Sequence, residues 1–239
     1  MNETITILST KIIMPLIKKQ LFENNIFVEE FEFIKTVSVL DKISLTTIKD
    51  HPPHYIFTSK KAVKFFCSVL KENKVELPPI HYIYCLDGET KKAVFMAGMR
   101  PTFTAHNAWQ LAEIIYKKGT SKKFIFFCSD IRRADLPDYL SARGVEIKEI
   151  VLYKTLLVPR SIKTTYNGIL FFSPSAIQSF FMGNKLNPST IFFCIGATTA
   201  SALREIAPEA EITIADKATQ LNIAEKIINY YNSNPNKLK

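Results

Sequence analysis

Twice in this chain a serine closes a short apolar run and opens a helical pattern. Tyr55-Ile-Phe-Thr-Ser59 runs into Ala62-Val-Lys-Phe-Phe66, and Ile169-Leu-Phe-Phe-Ser173 runs into Ala176-Ile-Gln-Ser-Phe180. A second pair of turns follows in the same order: Leu86-Asp-Gly-Glu-Thr90 and Ile195-Gly196-Ala-Thr198-Thr199. In an open parallel sheet these turns lie at the carboxyl ends of strands, where helix N-termini offer free amide N–H groups to an anion. Gly196 allows a ligand to approach the backbone closely, and Thr90 takes the matching place in the first half. Each hydroxyl also has a structural reading as a helix cap, worth about 1 kcal/mol. The two readings are compatible, because a cap and an anion contact can use one turn.

The elements that must position these residues repeat as well. Ala105-His-Asn-Ala-Trp-Gln-Leu111 answers Ala215-Asp-Lys-Ala-Thr-Gln-Leu221. Three matched blocks in one order predict two similar domains, and a cleft between two such domains is a natural ligand site. Short apolar strands at Ile5–Leu8, Ile26–Val39, Tyr55–Thr58, His81–Leu86, Thr102–Thr104, Phe124–Cys128, Val145–Val158, Ile169–Phe172, Ile191–Ile195 and Glu211–Ile214 alternate with helical patterns. Uninterrupted runs such as Phe124-Ile-Phe-Phe-Cys128 predict strands buried on both faces. The fold class is therefore α/β, with two similar domains, each a parallel sheet flanked by helices. Val28–Val39 and Val145–Val158 are long, β-rich and not promptly followed by helices. They are read as two extended strands linking the domains. This gives a discontinuous first domain, 1–34 with 160–239, a second domain at 50–146, and linkers at 35–49 and 147–159. Two consecutive domains of about 119 residues are the simpler alternative on pattern alone.

Other chemistry is sparse. Dinucleotide, Walker, nucleophile-elbow and zincin motifs are absent. In His51-Pro-Pro-His54 the prolines hold an extended turn with no Cys or carboxylate cluster beside it, so no metal site is expected. His81 and His106 stand alone. Asp130-Ile-Arg-Arg-Ala-Asp135 follows a strand end and forms either an arginine-lined loop or a surface ion-pair loop. Tyr153 lies on the second long strand, where alternation could turn it toward a ligand; a core tyrosine is the usual default.

With 47% hydrophobic and 22% charged residues, the 239-residue chain can bury a core in each domain. Cys85, Cys128 and Cys194 sit in or at the end of apolar runs, and with Cys67 they show no CxxC spacing. Buried reduced thiols and a cytoplasmic location are expected. No apolar run reaches membrane-span length and the N-terminus does not read as a signal peptide. The net charge of +9 implies an anionic partner. The lysines are scattered, so a nucleic-acid role is not expected.

The ordered set of segments resembles the uroporphyrinogen-III synthase family over roughly residues 50–225. The carrying segments are Tyr55-Ile-Phe-Thr-Ser59-x-x-Ala62-Val63, Leu136 to Gly144, Val151-Leu-Tyr153-Lys-Thr155, Phe171-Phe-Ser173-Pro-Ser-Ala176 and Cys194-Ile-Gly196-Ala-Thr198-Thr199-Ala200-x-Ala202-Leu203. The resemblance implies a two-domain enzyme with neither metal nor cofactor; a monomer is expected. Such an enzyme closes the linear tetrapyrrole hydroxymethylbilane to uroporphyrinogen III while inverting the last ring. The substrate has eight carboxylates, and the terminal hydroxyl leaves to give an azafulvene. Tyr153 matches the family tyrosine, a donor or general acid for that departure. Ser59, Lys60, Thr90, Ser129, Ser173, Ser175, Gly196, Thr198 and Thr199 are the implied substrate-binding residues. The chain departs from the family at Ser9-Thr10-Lys11, where Thr-Arg-Pro is common, and at Asp87 and Ser129, where glycine is common. A non-catalytic two-domain protein that binds an anionic small molecule or a tetrapyrrole is the alternative reading.

Overall fold

The computed structural model describes residues 4–39, 48, 53–132 and 134–234. The chain forms two compact units, a terminal unit (Met1–Lys35 with Leu156–Lys239) and a central unit (Thr36–Thr155).

In the terminal unit, strands β1 (Ile5–Ser9), β2 (Ile26–Glu30), β9 (Gly168–Phe171), β10 (Ile191–Cys194) and β11 (Ile212–Ile214) form one sheet in the order β11-β10-β9-β1-β2, every pairing parallel. Period-2 alternation divides the buried side chains between two layers. Ile191 and Phe193 face a core with Ile17, Leu21, Ile223 and Ile227, whereas Phe192 and Cys194 face one with Ile177, Phe180 and Leu203. Helices α1 (Pro15–Phe22) and α8 (Gln220–Ser233) cover the first layer; α6 (Pro174–Phe181) and α7 (Ala197–Ile206) cover the second.

The central unit has the sheet order β3-β8-β7-β4-β5-β6. Its strands are β3 (Ile34–Ser38), β4 (His54–Phe57), β5 (Tyr82–Leu86), β6 (Phe103–Ala105), β7 (Lys123–Ser129) and β8 (Glu146–Leu157). Helices α2 (Lys60–Glu72) and α3 (Glu89–Met96) pack on Tyr55, Phe57, Ile83, Ile125 and Phe127. Helices α4 (Ala108–Lys118) and α5 (Asp135–Ser141) pack on Ile56, Tyr84, Phe124 and Phe126. On α2 the buried residues Ala62, Val63, Phe66 and Val69 make one stripe at helical spacing.

The two sheets are permuted copies. Strands β9, β10 and β11 of the terminal unit stand where β4, β5 and β6 stand in the central unit, and β1 and β2 stand where β7 and β8 do. The terminal unit therefore draws its last two strands from the start of the chain.

The long strand expected at Ile26–Val39 is a correction: it is two strands in two different sheets. The break falls at Phe31–Phe33, where Phe33 turns in and is fully buried in the terminal core against Phe180. The expected linker residues 40–47 and 49, together with His51, lie outside the described residues. His54 is a core residue, stacked on Tyr82 with ring centroids 4.5 Å apart, and burial lowers its pKa.

Candidate active site

Strand β8 carries Tyr153, and a β-bulge decides where the side chain goes. Cys128 pairs with Val151 but the next residue, Ser129, pairs with Tyr153, so Leu152 is the extra residue. Under strict alternation Tyr153 would share a face with Val151. The bulge instead puts Leu152 and Tyr153 in the same core layer, against α2. The Tyr153 ring stacks on Phe65 at 4.9 Å and is only 6% exposed, and its hydroxyl lies 3.2 Å from Ser59 Oγ. That Ser59 oxygen also accepts the Ala62 N–H, at 3.1 Å, as the N-cap of α2.

Tyr153, Ser59 and Ser129 line one cavity of about 480 Å3. It sits at the carboxyl ends of β4, β5, β7 and β8, roofed by the start of α4 and the loop after β7. That loop is tied to β8: the Asp130 N–H donates to the Tyr153 carbonyl at 3.2 Å, and the Thr155 N–H donates to Asp130 Oδ1 at 3.3 Å. Cys128 lines the cavity too. Burial, then the Glu149 charge, pushes its thiol up to about 12, so it serves as an apolar wall and not as a thiolate.

Lys60 and Thr90 do not line this cavity. Lys60 forms an ion pair with Glu89 at 3.2 Å, with both side chains more than half exposed. Thr90, in the first turn of α3, is 6% exposed. The loop Asp130–Asp135 is an ion-pair loop at Arg132, whose Nε and Nη2 both donate to Glu149, the Nη2 contact at 2.6 Å. Arg133 lies outside the described residues.

In the terminal unit, β9 and β10 are neighbours with Phe171 opposite Cys194, so the turns after them lie side by side. Ser173 caps α6, its Oγ accepting the Ala176 N–H at 3.2 Å, and half-buried Ser175 follows in the first turn. Gly196 is the N-cap of α7 and supplies no side-chain bond to the helix amides. Its backbone is extended, and a Cβ there would meet only Ala218 Cβ at 3.8 Å. Neither packing nor conformation calls for glycine, and the missing side chain leaves the α7 amides open. Thr198 is exposed beside them, whereas Thr199 is 4% exposed. The capping reading thus holds for Ser59 and Ser173 and fails for Thr90, Thr198 and Thr199, because α3 and α7 have no side-chain cap. Lys11 places its Nζ 5.7 Å from the centre of the Phe172 ring, next to Ser173.

The cavity brings in Thr58, His106, Asn107 and Arg132, which the residue patterns did not put together with Tyr153. The nearest signal was the repeated block at Ala105–Leu111, which marks this turn as the third at the same sheet edge.

Comparison with known proteins agrees with this architecture. A family model described as "Uroporphyrinogen-III synthase HemD" matches residues 33–223. Uroporphyrinogen-III synthetase from Helicobacter pylori superposes with a TM-score of 0.69 at 18% identity, covering 95% of this chain and 99% of that one. A mutant uroporphyrinogen III synthase from Thermus thermophilus gives 0.68 at 13% identity, covering 97% and 99%. These likenesses carry the fold, and the family match extends over most of the sequence. The chain belongs to the uroporphyrinogen-III synthase family.

Proposed function

We propose that this chain carries out the family's reaction, closing hydroxymethylbilane to uroporphyrinogen III with inversion of the last ring. The observation that carries the mechanism is the Tyr153 hydroxyl, held 3.2 Å from Ser59 Oγ on the wall of the strand-end cavity. In the first step the C–O bond of the hydroxymethyl group breaks with a proton supplied to the departing oxygen. Water leaves, with the pyrrole N–H proton lost, and an azafulvene remains. Tyr153 is the donor that assists this departure, and Ser59 fixes the direction of its hydroxyl.

Attack through a substituted ring carbon gives a spiro intermediate, which fragments and recloses. The azafulvene is reactive enough to cyclise unaided to the wrong isomer, so the main task is to hold the bilane in the productive conformation. Carboxylate contacts do this. In the terminal unit we assign them to Ser173, Ser175, Gly196 and Thr198. The uncapped amides of α7 and the hydroxyls beside them are matched to anions, and no acidic side chain falls in either turn. In the central unit we assign them to Ser59, Lys60 and Ser129. Lys60 exchanges Glu89 for a substrate carboxylate, since an exposed pair of this kind is worth 0–1 kcal/mol. Thr90 and Thr199 are both buried, so they support the shape of their turns more than they touch ligand. We assign the chain to a reducing, cytoplasmic compartment as a monomer acting on a small molecule. Cys85, Cys128 and Cys194 are buried free thiols, a state that suits that compartment.

The test is the isomer formed. Purified protein coupled to enzymatic generation of hydroxymethylbilane should give the type III isomer; type I alone, at the uncatalysed rate, would overturn the reading. Saturable tetrapyrrole binding without turnover would select a ligand-binding protein instead.

A further inference from the structure

Two basic groups in the cavity beside Tyr153 have no task in the mechanism above. The cavity lies wholly within the central unit, and at about 480 Å3 it is in the range of small-molecule sites. Leu86, Phe126 and Leu136 give it apolar walls. Among the described residues, Arg132 and His106 are the basic ones in its lining, and none of that lining is Asp or Glu.

The carboxylates that hold these two bases stand outside the lining. Glu149, on β8, takes Nε and Nη2 of Arg132, and Asp87 lies 3.2 Å from His106 Nδ1. An arginine has five N–H donors, so Glu149 leaves the Nη1 pair and one Nη2 hydrogen for another partner. His106, its side chain 84% exposed, when protonated keeps Nδ1 on Asp87 and still offers its Nε2–H. Each base is thus oriented by its own carboxylate and keeps donors for a second. The ligand that fits is a flat apolar body with two short carboxylate arms.

We propose that this cavity is a subsite for one pyrrole ring of the substrate, with Arg132 and His106 each binding one of that ring's two carboxylates. Eight carboxylates over four rings give two per ring. The inference rests on the function proposed above and deepens it: the ring seated here is held next to the Tyr153 hydroxyl. The charged groups facing His106 are Asp87, itself 3.8 Å from Lys91, with Glu113, Lys117 and Lys118 around the adjoining cavity. Those near Arg132 are Glu149 and Asp138.

The test is equilibrium binding of a monopyrrole bearing one acetate and one propionate arm, titrated into the wild-type chain and into Arg132→Gln, Arg132→Lys and His106→Gln. Saturable binding at one molecule per chain is expected, weakened about tenfold in each Gln variant. Arg132→Lys keeps the pair with Glu149 and melts like the wild type, yet loses the fork and binds about threefold more weakly. It decides the matter if Arg132→Gln fails to fold. No saturable binding by the wild type, or binding unchanged in Arg132→Lys and His106→Gln, overturns the subsite. The isomer assay separates the two claims. Type III product with variant-insensitive pyrrole binding removes the subsite and leaves the function. Type I product with variant-sensitive binding removes the function and leaves a dicarboxylate site.

Discussion

The same turn is built twice, with different chemistry at its tip. Ser59 and Ser173 cap equivalent helices with equivalent bonds. Thr90 and Thr199 are buried at equivalent places. Between these fixed points the copies diverge. Asp87 stands where the terminal unit has Gly196, and Glu89 where it has Thr198. These two acids are engaged with Lys91, His106, Lys60 and Lys92. By sheet register Glu30, opposite Ser9, answers Glu149, opposite Phe126, and Tyr153 stands further along β8, opposite Ser129. Glu30 is consumed internally, accepting the Ile13 N–H and pairing with Lys18 at 2.8 Å. Helix capping and core burial are demands of the scaffold and stay the same in both copies. Exposed tips are free to differ, and there the terminal unit offers open amides and neutral hydroxyls while the central unit offers a tyrosine and ion pairs. We read this as a division of labour in which both units hold carboxylates and the central unit alone adds the chemistry.

The largest break in that comparison comes from giving the terminal turn the acid of the central one. Gly196→Asp should lower kcat/KM for hydroxymethylbilane about 100-fold through like-charge repulsion. The melting temperature should hold or rise, because the backbone there is extended, the space is open, and Asp is a good N-cap beside a helix N-terminus. Asp87→Asn, at the equivalent place, should cost less than about tenfold. Equal losses in the two variants would erase the distinction between the turns.

Tyr153→Phe comes next. Its ring keeps the stack on Phe65, so the fold should lose only one modest hydrogen bond, roughly 1 kcal/mol. Turnover should fall several-fold, to about a tenth at most. Complete loss with folding intact would contradict a mechanism governed by positioning. Ser59→Ala and Ser173→Ala sharpen the shared part: each should cost about 1 kcal/mol in urea denaturation, and the two values should agree. Only Ser59→Ala also frees the Tyr153 hydroxyl.

The smallest effect is in pH dependence. Burial works to raise the Glu30 pKa, but hydrogen bonds from Lys18 and the Ile13 N–H, with the Lys18 charge, outweigh it and hold the carboxyl below its usual 4.5. A depressed folded-state pKa gives stability that is present above 4.5 and lost as pH falls through the folded value. Glu30→Gln should flatten that acid limb in denaturation midpoints while leaving kcat at neutral pH unchanged. An unaltered limb would show that the pair contributes nothing.

Much of this architecture was legible because it rests on local signals. Runs such as Ile191–Ile195 and stripes such as Ala62, Val63, Phe66 and Val69 declare strand and helix by period alone. The repeated serine turns were legible for the same reason. What escaped depends on partners far along the chain. The break at Phe31–Phe33 follows from Phe33 finding Phe180, and the bulge at Cys128/Ser129 follows from how β8 registers on β7. Strict alternation would give Tyr153 the face of Val151, and the bulge moves it to that of Leu152. The pairs Arg132–Glu149 and Asp87–His106 join residues 17 and 19 positions apart, and no spacing rule reaches that far in a sheet. The permutation was hidden as well. By register on β9 and β4, Leu8-Ser9 answers Ile125-Phe126, and a single short strand with such unlike residues is too little to stand out as a repeat.

The division of labour is tested most directly by saturation kinetics of Gly196→Asp and Tyr153→Phe measured side by side. Gly196→Asp should raise KM and leave kcat within about threefold, whereas Tyr153→Phe should lower kcat and leave KM unchanged. If both substitutions moved the same parameter, the two units would not divide the work, and the account would be contradicted.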